Sequence, residues 1–372
     1  MSIEVRDLVV EFKGVRALDG LNFEADDGEF LVILGPSGCG KTTALKCIAG
    51  LLEPTSGEIY IDGKIVNGVY PSERNIAMVF QNYALYPHMT VYDNIALNMR
   101  MKRLPKDVID AKVRNVASKL QIDQMLKKRP KELSGGQAQR VGLARAMVRE
   151  PTAYLMDEPL SNLDAKLRNE MRDEMKRFQN ITGKSIIYVT HDQVEAMTLG
   201  DRIVVMNKGR IVQEDAPKKL FDDPDHVFVA NFLGNPPMNM INVDLLPSGT
   251  SEYRLKIDDA LNGNARIATD GSVRLPQSAV IGIRPTDLRY SEKGNVSAVF
   301  DYAELLGADV NVHFHLGPDR CIARIERRDE NEKLLEISKG SHFSLDVSPD
   351  RLFIFDAQTQ RRIRTAVKEF SI

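Results

Sequence analysis

Residues 30–51 read FLVILGPSGCGKTTALKCIAGL. FLVILG is an apolar run that stops at a glycine, as a strand buried on both faces does. KTTALKCIAGL follows directly as a helix. Between them GPSGCGKT, residues 35–42, fits G-x-x-x-x-G-K-[ST] at every position. A strand, a glycine-rich turn and a helix in that order make a phosphate cradle. Glycines accept positive φ and let backbone N–H groups close on an anion, and the helix N-terminus adds partial positive charge. The expected phosphate-contacting set is Gly35, Pro36, Ser37, Gly38, Cys39, Gly40, Lys41, Thr42 and Thr43. Lys41 suits the β- and γ-phosphates, and the Thr42 hydroxyl suits Mg2+.

Two further apolar runs end in polar residues: AYLMDE (153–158) and SIIYVTH (185–191). Strands alternate with helices over the first 235 or so residues, which predicts an α/β domain on a largely parallel sheet. Ligand chemistry in such sheets gathers at the carboxyl ends of the strands. Asp157 is therefore placed to hold Mg2+ directly or through water, and Glu158 to orient or deprotonate an attacking water. His191 either contacts a γ-phosphate and that water or is structural. Gln81, in MVFQNYALYPH, is either a Mg2+ or water contact or a solvated loop amide. Phe12, ahead of Lys13-Gly14, either stacks on an adenine or is a turn aromatic.

Residues of about 88–150 change character and read as a helical insertion. Ile109, Val113, Val116 and Leu120 recur at helical spacing in DVIDAKVRNVASKLQI. Inside this insertion LSGGQAQR (133–140) offers a second anion-binding turn, in which Ser134 leads Gly135 and Gly136 into a helix. MNKGRIVQ (206–213) predicts a hairpin around Asn207-Lys208-Gly209. NPPMN (235–239) marks a boundary, and beyond it AVIGIR, VNVHFHLG and LFIFD predict a small β-barrel or sandwich. His313 and His315 share one face of a strand there but lack an evident third metal ligand, so a surface role is expected.

A chain of 372 residues, 43% hydrophobic and 27% charged, fits a globular protein of two or three domains. Its net charge of −2 argues against general nucleic-acid binding. No apolar run approaches the ~18 residues of a membrane span, and MSIEVRDLVV has no signal-peptide pattern. Three scattered cysteines, Cys39, Cys47 and Cys321, fit a reducing compartment better than a disulfide framework.

GPSGCGKT, Gln81, LSGGQ, LMDEP, SNLD (161–164) and His191 occur in the order and spacing of ATP-binding cassette (ABC) ATPases, which the chain resembles over residues 1–235. NYALYPHMTV, PLSNLDAKLR, GNPPMN, IGIRPTDL, ELLGADVNVHFHLG and RLFIFD extend the resemblance to the maltose/trehalose-type importer subfamily over nearly the whole chain. The resemblance implies an α/β P-loop ATPase domain (1–235, helical subdomain about 88–150) and a C-terminal all-β, OB-like regulatory domain (236–372). It implies ATP and Mg2+, with Lys41, Glu158 and His191 catalytic, Phe12 and Gln81 at the nucleotide, and Thr42, Gln81 and Asp157 at the metal. It further implies a head-to-tail homodimer or paired ATPase subunit. There Leu133, Ser134, Gly135, Gly136 and Gln137 of one chain cap the ATP of the other, and Asp164 couples the two sites. Two separate permease subunits and, indirectly, an extracellular solute-binding protein follow, with no nucleic-acid partner. The place implied is peripheral, on the cytoplasmic face of a prokaryotic plasma membrane. A carbohydrate is the implied solute, ahead of polyamine, glycerol phosphate, sulfate or iron. The different-class alternative is a soluble ABC ATPase acting on DNA or ribosomes. Ala138, just after the signature, replaces the larger polar or basic residue usual there.

Overall fold

The computed structural model describes residues 2–257, 265–328 and 333–372. The chain divides into two compact units, Met1–Lys218 and Lys219–Ile372. In order, the first unit contains β1 (Ile3–Phe12), β2 (Val15–Ala25), β3 (Phe30–Leu34), α1 (Lys41–Ala49), β4 (Ser56–Ile61), β5 (Lys64–Ile65) and β6 (Ile76–Val79). There follow α2 (Val91–Met101), α3 (Lys106–Lys119), α4 (Gly135–Met147), β7 (Ala153–Asp157), α5 (Ala165–Thr182), β8 (Ser185–Thr190), α6 (Gln193–Leu199), β9 (Arg202–Asn207) and β10 (Arg210–Asp215).

β3 is buried at all five positions because it lies inside a six-stranded sheet of order β10-β9-β3-β8-β7-β6. Every pairing in that sheet is parallel except the β9–β10 hairpin. That hairpin turns on Lys208 and Gly209, both at positive φ as a two-residue primed turn requires. Register decides the site: Leu34 lies opposite Thr190, and Val189 opposite Asp157. The carboxyl ends of β3, β7 and β8 therefore sit side by side. A second sheet, β2-β1-β4-β5, is antiparallel, and its apolar face packs with α1 and β3 in one core that includes Leu8, Leu21, Leu45 and Ile33. Periodicity called the α3 segment correctly, and Ile109, Val113, Val116 and Leu120 are all buried.

The second unit pairs antiparallel strands into a seven-stranded and a five-stranded sheet. Ile241, Ile281 and Ile354 of the first meet Val312, Phe314 and Leu345 of the second in one core. The expected boundary at 235 falls inside this unit. The reason is Arg284, only 5% exposed, which donates to the carbonyl of Leu233 at 2.9 Å and to that of Phe221. Its guanidinium also lies 3.5 Å from the Phe221 ring centroid. One buried cation thus anchors the 221–233 segment to the β-unit, and burial draws its pKa down to about 10. His313 is paired with Glu304 at 3.1 Å and stacked on Tyr302, whereas His315 faces Asp301 at 3.7 Å. Among the described residues no helix is long and apolar enough to cross a membrane.

Candidate active site

The turn after β3 has the strain its glycines predict. Gly38 and Gly40 have φ of 79° and 108°. A Cβ on Gly40 would stand 2.6 Å from the Ala17 carbonyl oxygen, and one on Gly35 would stand 2.4 Å from that of Met206. The turn is clamped between the β1–β2 hairpin and the end of β9, and Cys39 O accepts from Gly209 N–H at 2.9 Å. α1 starts at Lys41 with Gly40 as its cap and no side-chain acceptor, so its first N–H groups face outward for an anion.

Lys41 is 4% exposed and donates from Nζ to the carbonyls of Gly35 (2.9 Å) and Pro36 (3.0 Å). Those bonds hold the ammonium at the mouth of the turn. Ala17, Ser37, Gly38, Gly40, Thr42, Thr43 and Glu158 line the hollow around it. Cys39 lies beneath, and burial raises its thiol pKa, which keeps it a packing group.

Thr42 Oγ1 donates to Asp157 Oδ1 at 2.8 Å. Burial pushes the Asp157 carboxyl above the usual carboxylate range, and the Thr42 bond only partly offsets this. A partly buried carboxylate next to a hydroxyl, with no cation bonded to it among the described residues, is a donor set that fits Mg2+. That ion takes one or two protein oxygens and fills its shell with phosphate oxygens and water.

Glu158 has φ of 44°, a conformation unusual for a side chain with a Cβ. Its N–H bonds Val189 O at 3.0 Å, and its carbonyl accepts from Ser161 Oγ at 2.8 Å. These bonds hold the strained residue and turn its carboxylate into the hollow, where Oε2 lies 3.0 Å from His191 Nδ1. His191 follows β8, whose last turn is fixed by a buried pair of hydroxyls. Tyr188 and Thr190 donate to Glu195 at 2.9 and 2.7 Å. Desolvation raises the Glu195 pKa, and the two donors partly offset it, with the Arg168 charge adding to their effect.

Other expected residues fall elsewhere. Phe12 ends β1 about half exposed, available to stack on a flat ring. Gln81 Nε2 donates to Ser161 Oγ at 3.1 Å and its backbone carbonyl accepts from Asn162 Nδ2 at 3.1 Å, so the side-chain amide faces the loop after β7 rather than Thr42 or Asp157. Asp164 caps α5 by accepting from Leu167 N–H at 3.0 Å. Ser134 caps α4 in a reciprocal box with Gln137. Gly135 and Gly136 are helical, and their small size serves packing: a Cβ on either would stand 2.9 Å from Leu163 or Leu167. None of residues 133–137 lines the hollow around Lys41. Ser134 and Gly135 are exposed.

Sequence reasoning singled out SNLD (161–164) with a role for Asp164 alone, gave Ser161 and Asn162 no contact of their own, and missed Arg168. Arg168 bonds the Leu163 carbonyl at 3.0 Å and Asp192 at 3.3 Å, which ties the loop after β7 to the residue next to His191. Nothing in a charged helix such as α5 distinguishes that arginine beforehand.

Residues 18–161 match the family model described as ABC transporter. The chain is 43% identical to the trehalose/maltose import ATP-binding protein MalK of Thermococcus litoralis, over 97% of this chain and 99% of that one. This chain belongs to the ABC transporter ATPases. A comparable relative is the sn-glycerol-3-phosphate import ATP-binding protein UgpC of Chromobacterium violaceum, 44% identical over 98% of this chain and 96% of that one. Among solved structures, cbiO1 of Clostridium perfringens, described as part of the ABC transporter complex cbiONQ, matches with a TM-score of 0.56 and 31% identity. It covers 59% of this chain and 90% of its own length. An ATP-binding cassette solved as a dimer in a post-hydrolysis state with ADP and Pi matches at TM-score 0.52 and 30% identity, over 58% of this chain and 98% of its own. Membership of that family makes the chain an ATP-binding ATPase.

Proposed function

We propose that this ABC ATPase is the ATP-hydrolysing subunit of a solute importer, working as a head-to-tail dimer on the cytoplasmic face of a prokaryotic membrane. One observation carries the reading. The Lys41 hollow holds the proposed hydrolytic groups, while the signature turn at 133–137 lies outside that hollow, is capped, and exposes Ser134 and Gly135. A second chain is what brings such a turn to an ATP. The dimeric cassette structure with ADP and Pi supports this arrangement.

In the proposed chemistry Lys41 and the first-turn N–H groups of α1 hold the β- and γ-phosphates, and Phe12 takes the adenine. Mg2+, when bound by Thr42 and Asp157, supplies charge neutralisation at those phosphates. Glu158 orients the attacking water and accepts its proton, and the 3.0 Å bond to His191 Nδ1 fixes the carboxylate's direction. His191 thereby leaves Nε2 free to face the γ-phosphate. Ser134 and the N-terminus of α4 cap that phosphate from the other chain, so closure favours ATP over ADP. Asp164, at the start of α5, lies on the face that meets the partner. Gln81 relays the state of the site through Ser161.

Two permease subunits then dock on the groove beside Gln81. That groove is lined by Phe80, Tyr86, Ile95, Leu97 and Met101, with Met101 and Tyr86 exposed. A solute-binding protein on the far side of the membrane completes the importer. A carbohydrate is the first reading for the solute, following the MalK relative. Glycerol phosphate is the second, because UgpC relatives are equally similar. The second unit, Lys219–Ile372, forms the regulatory domain of this subunit.

The test is purification of the tagged chain from its own membranes, followed by ATPase assays of the assembly in lipid with the binding protein. The reading expects two permease subunits in the preparation and turnover that rises with one sugar or with glycerol phosphate. Recovery with ribosomes or DNA, and no permease, overturns it.

A further inference from the structure

The loop that carries Gln81 is held in a form that its own sequence does not favour. Tyr83 and Ala84, neither a glycine, are consecutive residues at φ of 57° and 46°. Two adjacent non-glycine residues in the left-handed region persist only where the surroundings over-determine them. Part of that hold is local. Tyr83 N–H bonds Phe80 O at 2.9 Å, and Ala84 N–H bonds Asn82 Oδ1 at 3.3 Å. Asn94 of α2, 2% exposed, accepts from Tyr86 N–H at 2.8 Å and donates back to the Tyr86 and Thr90 carbonyls.

The remaining hold comes from α4. Arg145 Nη1 donates to Ala84 O at 2.6 Å and to Tyr83 O at 3.4 Å, the carbonyls of the two strained residues. Its guanidinium also lies 4.9 Å from the Tyr86 ring centroid. No carboxylate pairs with Arg145 among the described residues, so its charge is directed to those carbonyls and that ring. Charge-assisted bonds of this kind are the strong ones, and here one nitrogen, Nη1, serves both carbonyls. Arg145 lies three turns along the helix that Ser134 caps. At the other end of the loop, Gln81 bonds Ser161 and Asn162.

We propose that Arg145 is a positioning residue. It ties the signature helix to the Gln81 loop, holds Tyr83 and Ala84 in their strained form, and so makes displacement of α4 a displacement of Gln81. The loop is then a two-state element, and the Arg145 bonds decide which state is populated. The inference rests on the ATPase reading of the site but not on any permease or solute.

The test uses the full-length chain with Arg145→Met and Arg145→Lys, by amide hydrogen exchange and by ATPase kinetics. Arg145→Met is expected to speed exchange at Tyr83 and Tyr86 roughly tenfold or more, the effect of losing a charge-assisted bond to a strained turn. Exchange in α2 and in the helix interior of α4 stays as in wild type. The KM for ATP stays within about twofold while kcat falls about tenfold, because the loop acts on turnover rather than on phosphate binding. Arg145→Lys restores part of both, through the single bond to Ala84. Unchanged exchange at 83–86 overturns the proposal, and so does faster exchange spread through α2 and α4, which marks a merely structural arginine. Loss of wild-type ATPase activity would instead break the catalytic reading and leave the exchange result to stand by itself.

Discussion

Two turns in this chain use the same small residues for different physical ends. In GPSGCGKT, Gly38 and Gly40 are required by positive φ, and Gly35 and Gly40 by backbone oxygens 2.4–2.6 Å from any Cβ. The turn closes around a buried lysine, a Thr–Asp pair and a strained glutamate. In LSGGQ the glycines are ordinary helical residues, small because Leu163 and Leu167 pack against them. That turn brings a hydroxyl and a helix N-terminus to the surface, with no lysine or carboxylate bonded to it among the described residues. The first turn is a site with reacting groups. The second has half of the donors a site needs, which is why a second chain is the economical way to complete it.

The sharpest way to break the comparison is at Glu158. Glu158→Gln keeps the shape but removes the proton acceptor, and phosphate release is expected to fall by about 10²–10⁴. The variant should also persist as an ATP-bound dimer in light scattering. Near-normal turnover would remove Glu158 from the catalytic role.

Division of labour between the turns is tested by mixing two inactive chains, Lys41→Ala and Ser134→Arg. If the signature acts across the dimer, a mixed dimer keeps one intact site formed by the unaltered halves, and one ATP is retained per dimer in a filter-binding assay. If each turn serves its own chain, the mixture retains none.

Stability separates the two kinds of glycine. Gly40→Ala forces φ of 108° on a Cβ that meets Ala17 and Leu18, and is expected to cost roughly 2–4 kcal/mol in urea denaturation. Gly135→Ala meets only the flexible end of Leu163 at 2.9 Å and should lie within about 1 kcal/mol of wild type. Equal costs would show that the glycines serve one purpose.

The smallest effect is electrostatic. Burial raises the folded pKa of Asp157, so its ionised form destabilises the fold at neutral pH when no cation is bound. Asp157→Asn should then raise the thermal midpoint by about 2–4 °C at pH 7. The gap should narrow as pH falls through the raised pKa, since the wild-type carboxyl then takes up a proton. Added Mg2+ with ATP should reverse the order. A gap that widens on acidification would contradict the assigned cause.

Much of this was legible in advance because the signals were local. The apolar runs at 30–35, 153–158 and 185–191 correspond to β3, β7 and β8 almost residue for residue, and GPSGCGKT forms the turn its glycines predict. α3 followed from its period. Other features had no local signal. In the β2-β1-β4-β5 sheet the β1–β4 pairing sets Ile3 opposite Ile61, segments far apart in the chain. The Gln81–Ser161 contact joins residues 80 positions apart, and the anchoring of 221–233 by Arg284 spans more than 50. A glutamine in a loop or an arginine in a strand end carries no mark of such a partner.

By itself the sequence determined which residues can hold a phosphate and a metal, because those demands are met by residue type at fixed short spacing: glycines for backbone approach, lysine for charge, threonine and aspartate for hard oxygen ligands. It also determined the periodic elements, since burial follows a period of two or 3.6. Only the tertiary structure decided where Gln81 points and what Arg145 grips. Those depend on β-sheet register and on packing between distant segments, which set the carboxyl ends of β3, β7 and β8 side by side and leave Ser134 and Gly135 outside.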